Sequence, residues 1–353
     1  MKKILFDIGH PAQVHNFKNI YWDLEKKGWQ GLFVTKDKEM CVYLLKQYKL
    51  PFVVLGTNKK GIFKKIAFLL KDLFKFYQIT KDFKPDIIVN RMSLHSTLIS
   101  KLFRIKQLSL ADTEKSLNLS FLSDVILTAT SFKKEFGEKH LKYLANIELF
   151  YLHPNWFKPN SNIFDLLDIT TSQEYVIIRF VSWNAHHDIG QKGFSYEQKV
   201  ELVKQLSKRV KVFISSETEL PSELVEYQIT IPPEKMHDAL SFASLYIGEG
   251  ATMASESAML GTPAIYVNSL NGAGIFEEEE EAGLFYRIVD GKKAILKAID
   301  IIDNKFDKKY QNRRDSYLKS KIDVTAFVIW FIENYPKSFE IVKQDFNYQL
   351  RFK

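Results

Sequence analysis

Short runs of β-branched and aromatic residues alternate with longer stretches of helical periodicity along this chain, and the alternation occurs twice. Parallel strands need crossovers long enough to hold a helix, so such a pattern reads as βαβ units and a parallel sheet. The first set places strands at Ile4–Ile8, Leu32–Thr35, Phe52–Leu55, Asp86–Asn90, Gln107–Leu110 and Val125–Thr128. The second places them at Tyr175–Phe180, Val212–Ser215, Ile229–Ile231, Leu245–Gly248, Ala264–Asn268 and Phe285–Val289. Between the sets, His153-Pro154-Asn155-Trp156-Phe157-Lys158-Pro159-Asn160 breaks both periodicities. The expected organisation is an α/β chain with two Rossmann-like doubly wound domains: residues 1–155, a linker at 156–170, a second domain at 171–322 and a helical segment at 323–353. Sheets of this kind bind ligands at the carboxyl ends of their strands, so facing domains would share a central cleft.

The length of 353 residues exceeds what one growing core supports and suits two domains. A net charge of +8 favours an anionic partner, without saying which. The single cysteine, Cys41, excludes an intrachain disulfide framework and fits a reducing, cytoplasmic setting. The opening MKKILFDIGH reads as a buried strand and not a signal peptide, because Asp7 interrupts the apolar run. No stretch has the roughly 18–20 apolar residues of a membrane span. Glu277–Glu281 reads as a solvated helix face.

The most informative stretch runs Gly248-Glu249-Gly250-Ala251-Thr252-Met253-Ala254-Ser255-Glu256-Ser257-Ala258-Met259-Leu260-Gly261-Thr262-Pro263, a strand end, a glycine turn, a helix and an exit into the next strand. Glycines let backbone approach a ligand, and a helix beginning near Thr252 would aim N–H groups and the positive end of its dipole at a diphosphate. Glu256 falls one turn later on the same face, where a carboxylate can accept both hydroxyls of a ribose. A tight strand-to-helix turn whose glycines satisfy packing gives the same spacing.

The segment resembles the nucleotide-sugar site of GT-B glycosyltransferases, through Ser255-Glu256 and Gly261-Thr262-Pro263. That similarity implies Glu256 on the ribose, Gly248, Gly250, Ala251 and Thr252 beside the diphosphate, Asn268 after the next strand, and Pro232-Pro233-Glu234-Lys235-Met236 along the base. The whole chain is similar to the domain of unknown function 354 family, placed in the GT-B superfamily. This resemblance rests on His10-Pro11-Ala12-Gln13-Val14-His15-Asn16-Phe17, on Arg179-Phe180-Val181-Ser182-Trp183-Asn184-Ala185-His186-His187-Asp188 and on the Gly248–Pro263 segment.

Within these strings His15, which opens a helix, resembles the histidine that deprotonates the acceptor in inverting GT-B transferases; His10 is the rival, and Val14 departs from the usual glycine. Glu114 follows a strand of the first sheet where transferases and UDP-GlcNAc 2-epimerases carry an active-site glutamate. Arg179 is suited to a diphosphate, and Asn184, His186 and His187 lie in a loop where the 2-epimerases carry a functional histidine. Adjacent histidines in extended chain point apart, so no metal site and no cofactor are expected. The implied activity is a metal-independent glycosyltransferase using a nucleotide-sugar donor, expected to be a UDP-sugar, and a glycan or lipid-linked acceptor in cell-surface glycan or polysaccharide biosynthesis. A UDP-GlcNAc 2-epimerase-like enzyme is the alternative. A nucleic-acid binder lacks any recognition motif here. The run from Lys59 to Tyr77 combines an apolar helical stripe with lysines, which suits an anionic membrane surface and peripheral attachment, or simply the cover of a sheet.

Overall fold

Strands whose side chains are apolar on both faces must be covered on both faces, and the central strands here are of that kind. In the computed structural model, which describes residues 1–36, 39–56, 62–112, 122–182, 193–269, 274–304 and 308–353, they lie inside two separate parallel sheets. The described residues pack into two compact units, Met1–Trp156 with Lys321–Lys353, and Phe157–Ser320.

The first unit runs β1 (Lys3–Ile8), α1 (Pro11–Lys26), β2 (Gln30–Thr35), α2 (Glu39–Gln47), β3 (Phe52–Val54), α3 (Ile62–Phe83), β4 (Ile87–Asn90), α4 (Leu94–Phe103), β5 (Lys106–Ala111), β6 (Val125–Ala129), β7 (His140–Tyr143) and α5 (Leu149–Leu152). Its seven strands are ordered β3-β2-β1-β4-β5-β6-β7, all parallel. On one face Leu5, Val34 and Ile88 pack under α3 and α4 against Phe76 and Ile99. On the other, Phe6 stacks with Phe17 of α1 and with Phe33.

The second unit runs α6 (Ile163–Leu166), β8 (Tyr175–Phe180), α7 (Tyr196–Leu206), β9 (Lys211–Ser216), α8 (Met236–Phe242), β10 (Leu245–Gly248), α9 (Ala251–Leu260), β11 (Ala264–Tyr266), α10 (Gly274–Glu281), β12 (Phe285–Arg287), α11 (Gly291–Asp303) and α12 (Lys308–Ser320). The order is β12-β11-β10-β8-β9. The chain then completes the first unit with α13 (Val324–Glu333) and α14 (Lys337–Gln344). Asp323 fastens this return: its carboxylate accepts the Trp156 indole N–H at 2.7 Å and the Ala326 N–H at 2.9 Å, capping α13. Phe327 and Phe331 of α13 are fully buried.

Three expectations are corrected. Ile229–Ile231 is no strand; only Gln228 bridges to Ile214, and Pro232 and Pro233 next in line have no N–H to extend a ladder. β7 was not expected, because His140-Leu141-Lys142-Tyr143 alternates polar and apolar as a half-buried edge strand. The acidic run is not a solvated face: Glu279 is fully buried and accepts the Ser255 hydroxyl, and Glu280 holds both the backbone and the guanidinium of Arg287.

In both sheets the direction of winding reverses beside the first strand, between β1 and β4 and between β8 and β10. The carboxyl ends of those strands are where an open α/β sheet leaves a crevice.

Candidate functional site

In the second unit the crevice is framed by Val181 and Ser182 after β8 and by Glu249 and Gly250 after β10. Gly248 pairs with Arg179 across the two strands, and a Cβ there would come within 2.5 Å of the Arg179 carbonyl oxygen. At Gly250 a Cβ would press on the Arg179 side chain and the Tyr246 hydroxyl, at 3.1 and 3.2 Å. The glycines therefore serve first to seat Arg179 close against the turn.

α9 starts directly from Gly250, which offers no capping side chain, and its first turn holds no acidic residue. Ala251 is half-buried and Thr252 is exposed. The first-turn N–H groups and the positive dipole end suit an anion there. The helix ends at Gly261, whose φ of +94° is the left-handed conformation glycine adopts without penalty, and Thr262 then donates to the Leu240 carbonyl at 2.6 Å.

The buried side of α9 is held by two acidic contacts. Ser255 donates to Glu279 of α10. Glu256, only 5% exposed, lies with Oε1 3.1 Å from Nε2 of His237 on α8. Met236 begins α8 half-buried, and Asn268 lies buried just after β11, beyond Val267, whose N–H donates to the Gly248 carbonyl at 2.8 Å. The Arg179 guanidinium is engaged by the Ser215 hydroxyl at 2.6 Å and Glu217 at 2.7 Å, so its charge is already matched within the unit. Two residues were not foreseen. His237 is one; Glu249 is the other, a carboxylate 2% exposed that accepts the N–H groups of Val181 at 3.0 Å and Phe194 at 2.8 Å. Only the run of small residues around Glu249 hinted at its burial.

In the first unit the loop histidines part company. His10 is exposed at the amino end of α1, where Nδ1 accepts the Ala12 N–H at 3.2 Å. A neutral imidazole held this way carries its proton on Nε2. His15 is 8% exposed and lies against Tyr48 and Tyr151, with ring centroids 5.7 and 5.3 Å away. The His15 ring therefore sits among aromatic neighbours on its face of α1.

Across the switch point, half-buried Arg91 bonds Asn16 at 3.1 Å and pairs with Asp112, while Met92 takes a φ of +53°. Burial raises the Asp7 carboxyl above the usual carboxylate range, against hydrogen bonds from Ser93 and Ser96 and the neighbouring His95, and burial pushes the His95 imidazole down. Glu114, Asn184, His186 and His187 lie outside the described residues. Among the described residues no group of three or more His, Cys, Asp or Glu side chains is arranged to hold a metal ion.

Among solved structures the fold is similar to the UDP-GlcNAc 2-epimerase from Neisseria meningitidis bound to UDP-GlcNAc, with 12% identity, 94% of this chain and 100% of that chain covered, and a TM-score of 0.66. It is also similar to the spinosyn rhamnosyltransferase SpnG complexed with thymidine diphosphate, with 10% identity, 95% and 100% coverage and a TM-score of 0.63. At such identities the likeness establishes the fold, a GT-B architecture of two Rossmann-like parallel-sheet domains. An uncharacterised protein of Methanocaldococcus jannaschii is 21% identical over 283 residues, covering 74% of this chain and 80% of that protein. Residues 2–326 match the family described as protein of unknown function (DUF354), and the chain belongs to that family.

Proposed function

We propose that this chain is a metal-independent nucleotide-sugar enzyme that transfers a glycosyl group, with a UDP-sugar held by the unit of residues 157–320. What carries the reading is the β10–α9 junction: a helix amino end with no capping side chain, at the switch point of its sheet, followed one turn later by a buried carboxylate. The diphosphate would lie on the N–H groups near Ala251 and Thr252, and the ribose on Glu256. Solved neighbours holding UDP-GlcNAc or thymidine diphosphate on the same fold support a nucleotide donor. Arg179 would meet the diphosphate while Ser215 and Glu217 hold part of its guanidinium.

In the transfer step the acceptor oxygen bonds to the anomeric carbon, the bond from that carbon to the diphosphate breaks, and the diphosphate leaves with the electron pair. The acceptor proton goes to a histidine at or near the amino end of α1. Exposure favours His10 over His15, at the cost of its bond to Ala12.

Epimerisation at C2 of the sugar is the competing reading, supported by the likeness of the fold to a UDP-GlcNAc 2-epimerase bound to UDP-GlcNAc. Incubation with UDP-GlcNAc alone separates them. Transfer leaves the sugar unchanged at C2, whereas conversion to the C2 epimer, or steady UDP release, sinks the transferase reading.

The proposal extends to a lipid-linked acceptor at an anionic surface. α3 and α4 pack side by side and expose Leu70, Phe74, Leu98 and Leu102, at 62%, 61%, 39% and 65%. Lys71, Lys81 and Lys101 lie on the same helices. No described helix is long and apolar enough to cross a membrane.

A further inference from the structure

We infer that His237 is a positioning residue for the nucleotide, acting by orienting the Glu256 carboxylate; the inference rests on the ribose role proposed above for Glu256. A carboxylate that receives both hydroxyls of a ribose must present its oxygens in one direction. Glu256 is buried, and the Nε2 of His237, itself buried, lies 3.1 Å from its Oε1. A ring N–H donated there fixes the plane of the carboxylate.

The frame around the pair leaves little freedom to relax. α8 and α9 are fastened again at their far ends, where Thr262 donates to the Leu240 carbonyl at 2.6 Å. Phe157 meets the His237 ring edge-on, with centroids 6.1 Å apart. The neighbouring Asp238 accepts the Asn160 N–H at 2.9 Å, which pins the segment that carries Phe157. On its opposite flank α9 is held by Ser255 and Glu279. The imidazole thus sits behind the carboxylate as part of a rigid backing.

The decisive experiment is a double-mutant cycle read by calorimetry with UDP as the probe. His237→Ala is expected to weaken UDP binding about tenfold, His237→Gln, which keeps an N–H donor of similar reach, to restore most of it, and His237→Ala to cost nothing further in a Glu256→Ala background. Additive losses in the double variant, or an unchanged affinity for His237→Ala while Glu256→Ala binds weakly, would overturn the positioning role. If Glu256→Ala itself binds UDP like the unaltered protein, or the unaltered protein does not bind UDP, the ribose reading fails first, and the inference with it. Should His237→Ala not fold, His237→Asn takes its place: its shorter amide cannot reach Oε1, so a loss with Asn and none with Gln supports the role, and equal affinities refute it.

Discussion

Removing the Glu249 carboxylate would leave two backbone N–H groups without their acceptor. In the intact protein Oε2 accepts from Val181 at 3.0 Å and Oε1 from Phe194 at 2.8 Å, and Lys199 adds a looser contact at 3.7 Å. The Val181 and Phe194 N–H groups are part-buried and buried, and each loses a bond to a charged oxygen in Glu249→Ala. At about 1–3 kcal/mol for each stranded donor, the loss is about 2–6 kcal/mol. Lys199 adds little, because it is partly exposed and also rests over the Phe180 ring. For a unit of this size each kcal/mol moves the melting point by roughly 2–4 °C, so a fall of about 10 °C is expected in thermal unfolding. Glu249→Gln should fall between, since one oxygen remains while the amide group turns a donor toward a donor. Hydrogen exchange gives the local check: the Val181 and Phe194 amides should lose protection before the β10 amides do. A Glu249→Ala melt within about 2 °C of the unaltered protein would refute the reasoning, because one buried and one part-buried donor cannot lose their acceptor for so little.

Glu256→Ala should weaken UDP-sugar binding about a hundredfold or more while the protein stays folded, since two charge-assisted hydrogen bonds go; calorimetry checks it. His10→Ala should lower turnover by about 10²–10⁴-fold with little change in donor affinity, and His15→Ala should act mainly on stability; steady-state rates with melting curves on both variants reverse the assignment if the effects are swapped. Co-sedimentation with anionic vesicles at low salt should fall when Leu70 and Phe74 are both replaced by Ser, and should fade for the unaltered protein as salt rises; equal recovery in the supernatant with anionic and neutral vesicles would restrict α3 to covering its sheet.

The parts of this molecule legible in its sequence are those whose cause is local. β8 and β10 coincide with the apolar runs at Tyr175–Phe180 and Leu245–Gly248, because a central parallel strand is apolar on both faces and needs no partner to be recognised. β7 and the mistaken strand at Ile229–Ile231 sit at the edge of that rule, where pairing depends on which neighbour arrives. That the strands form two parallel sheets also followed from the alternation. The side-chain contacts did not. Glu249 finds its partners 68 and 55 residues away, and His237 meets Glu256 across 19. His15 lies in α1, and the burial of its helix face is decided by Tyr48 and Tyr151. Glu279 shows the same limit, for a run of five glutamates gives no sign that its middle member reaches Ser255.

The return of α13 to the first unit has a consequence for synthesis. Residues 157–320 form one uninterrupted stretch and hold all of their own sheet, so this unit can close as soon as it has left the ribosome. The first unit is made earlier but cannot close earlier, since Phe327, Phe331 and the Asp323 carboxylate that takes the Trp156 indole come after the whole of the other unit. Until then the surface of α1 that receives α13 stays open to solvent and to other chains. The unit synthesised first is therefore the one that finishes last, and its waiting time is set by the translation of about 160 intervening residues, on the order of ten seconds at ordinary rates.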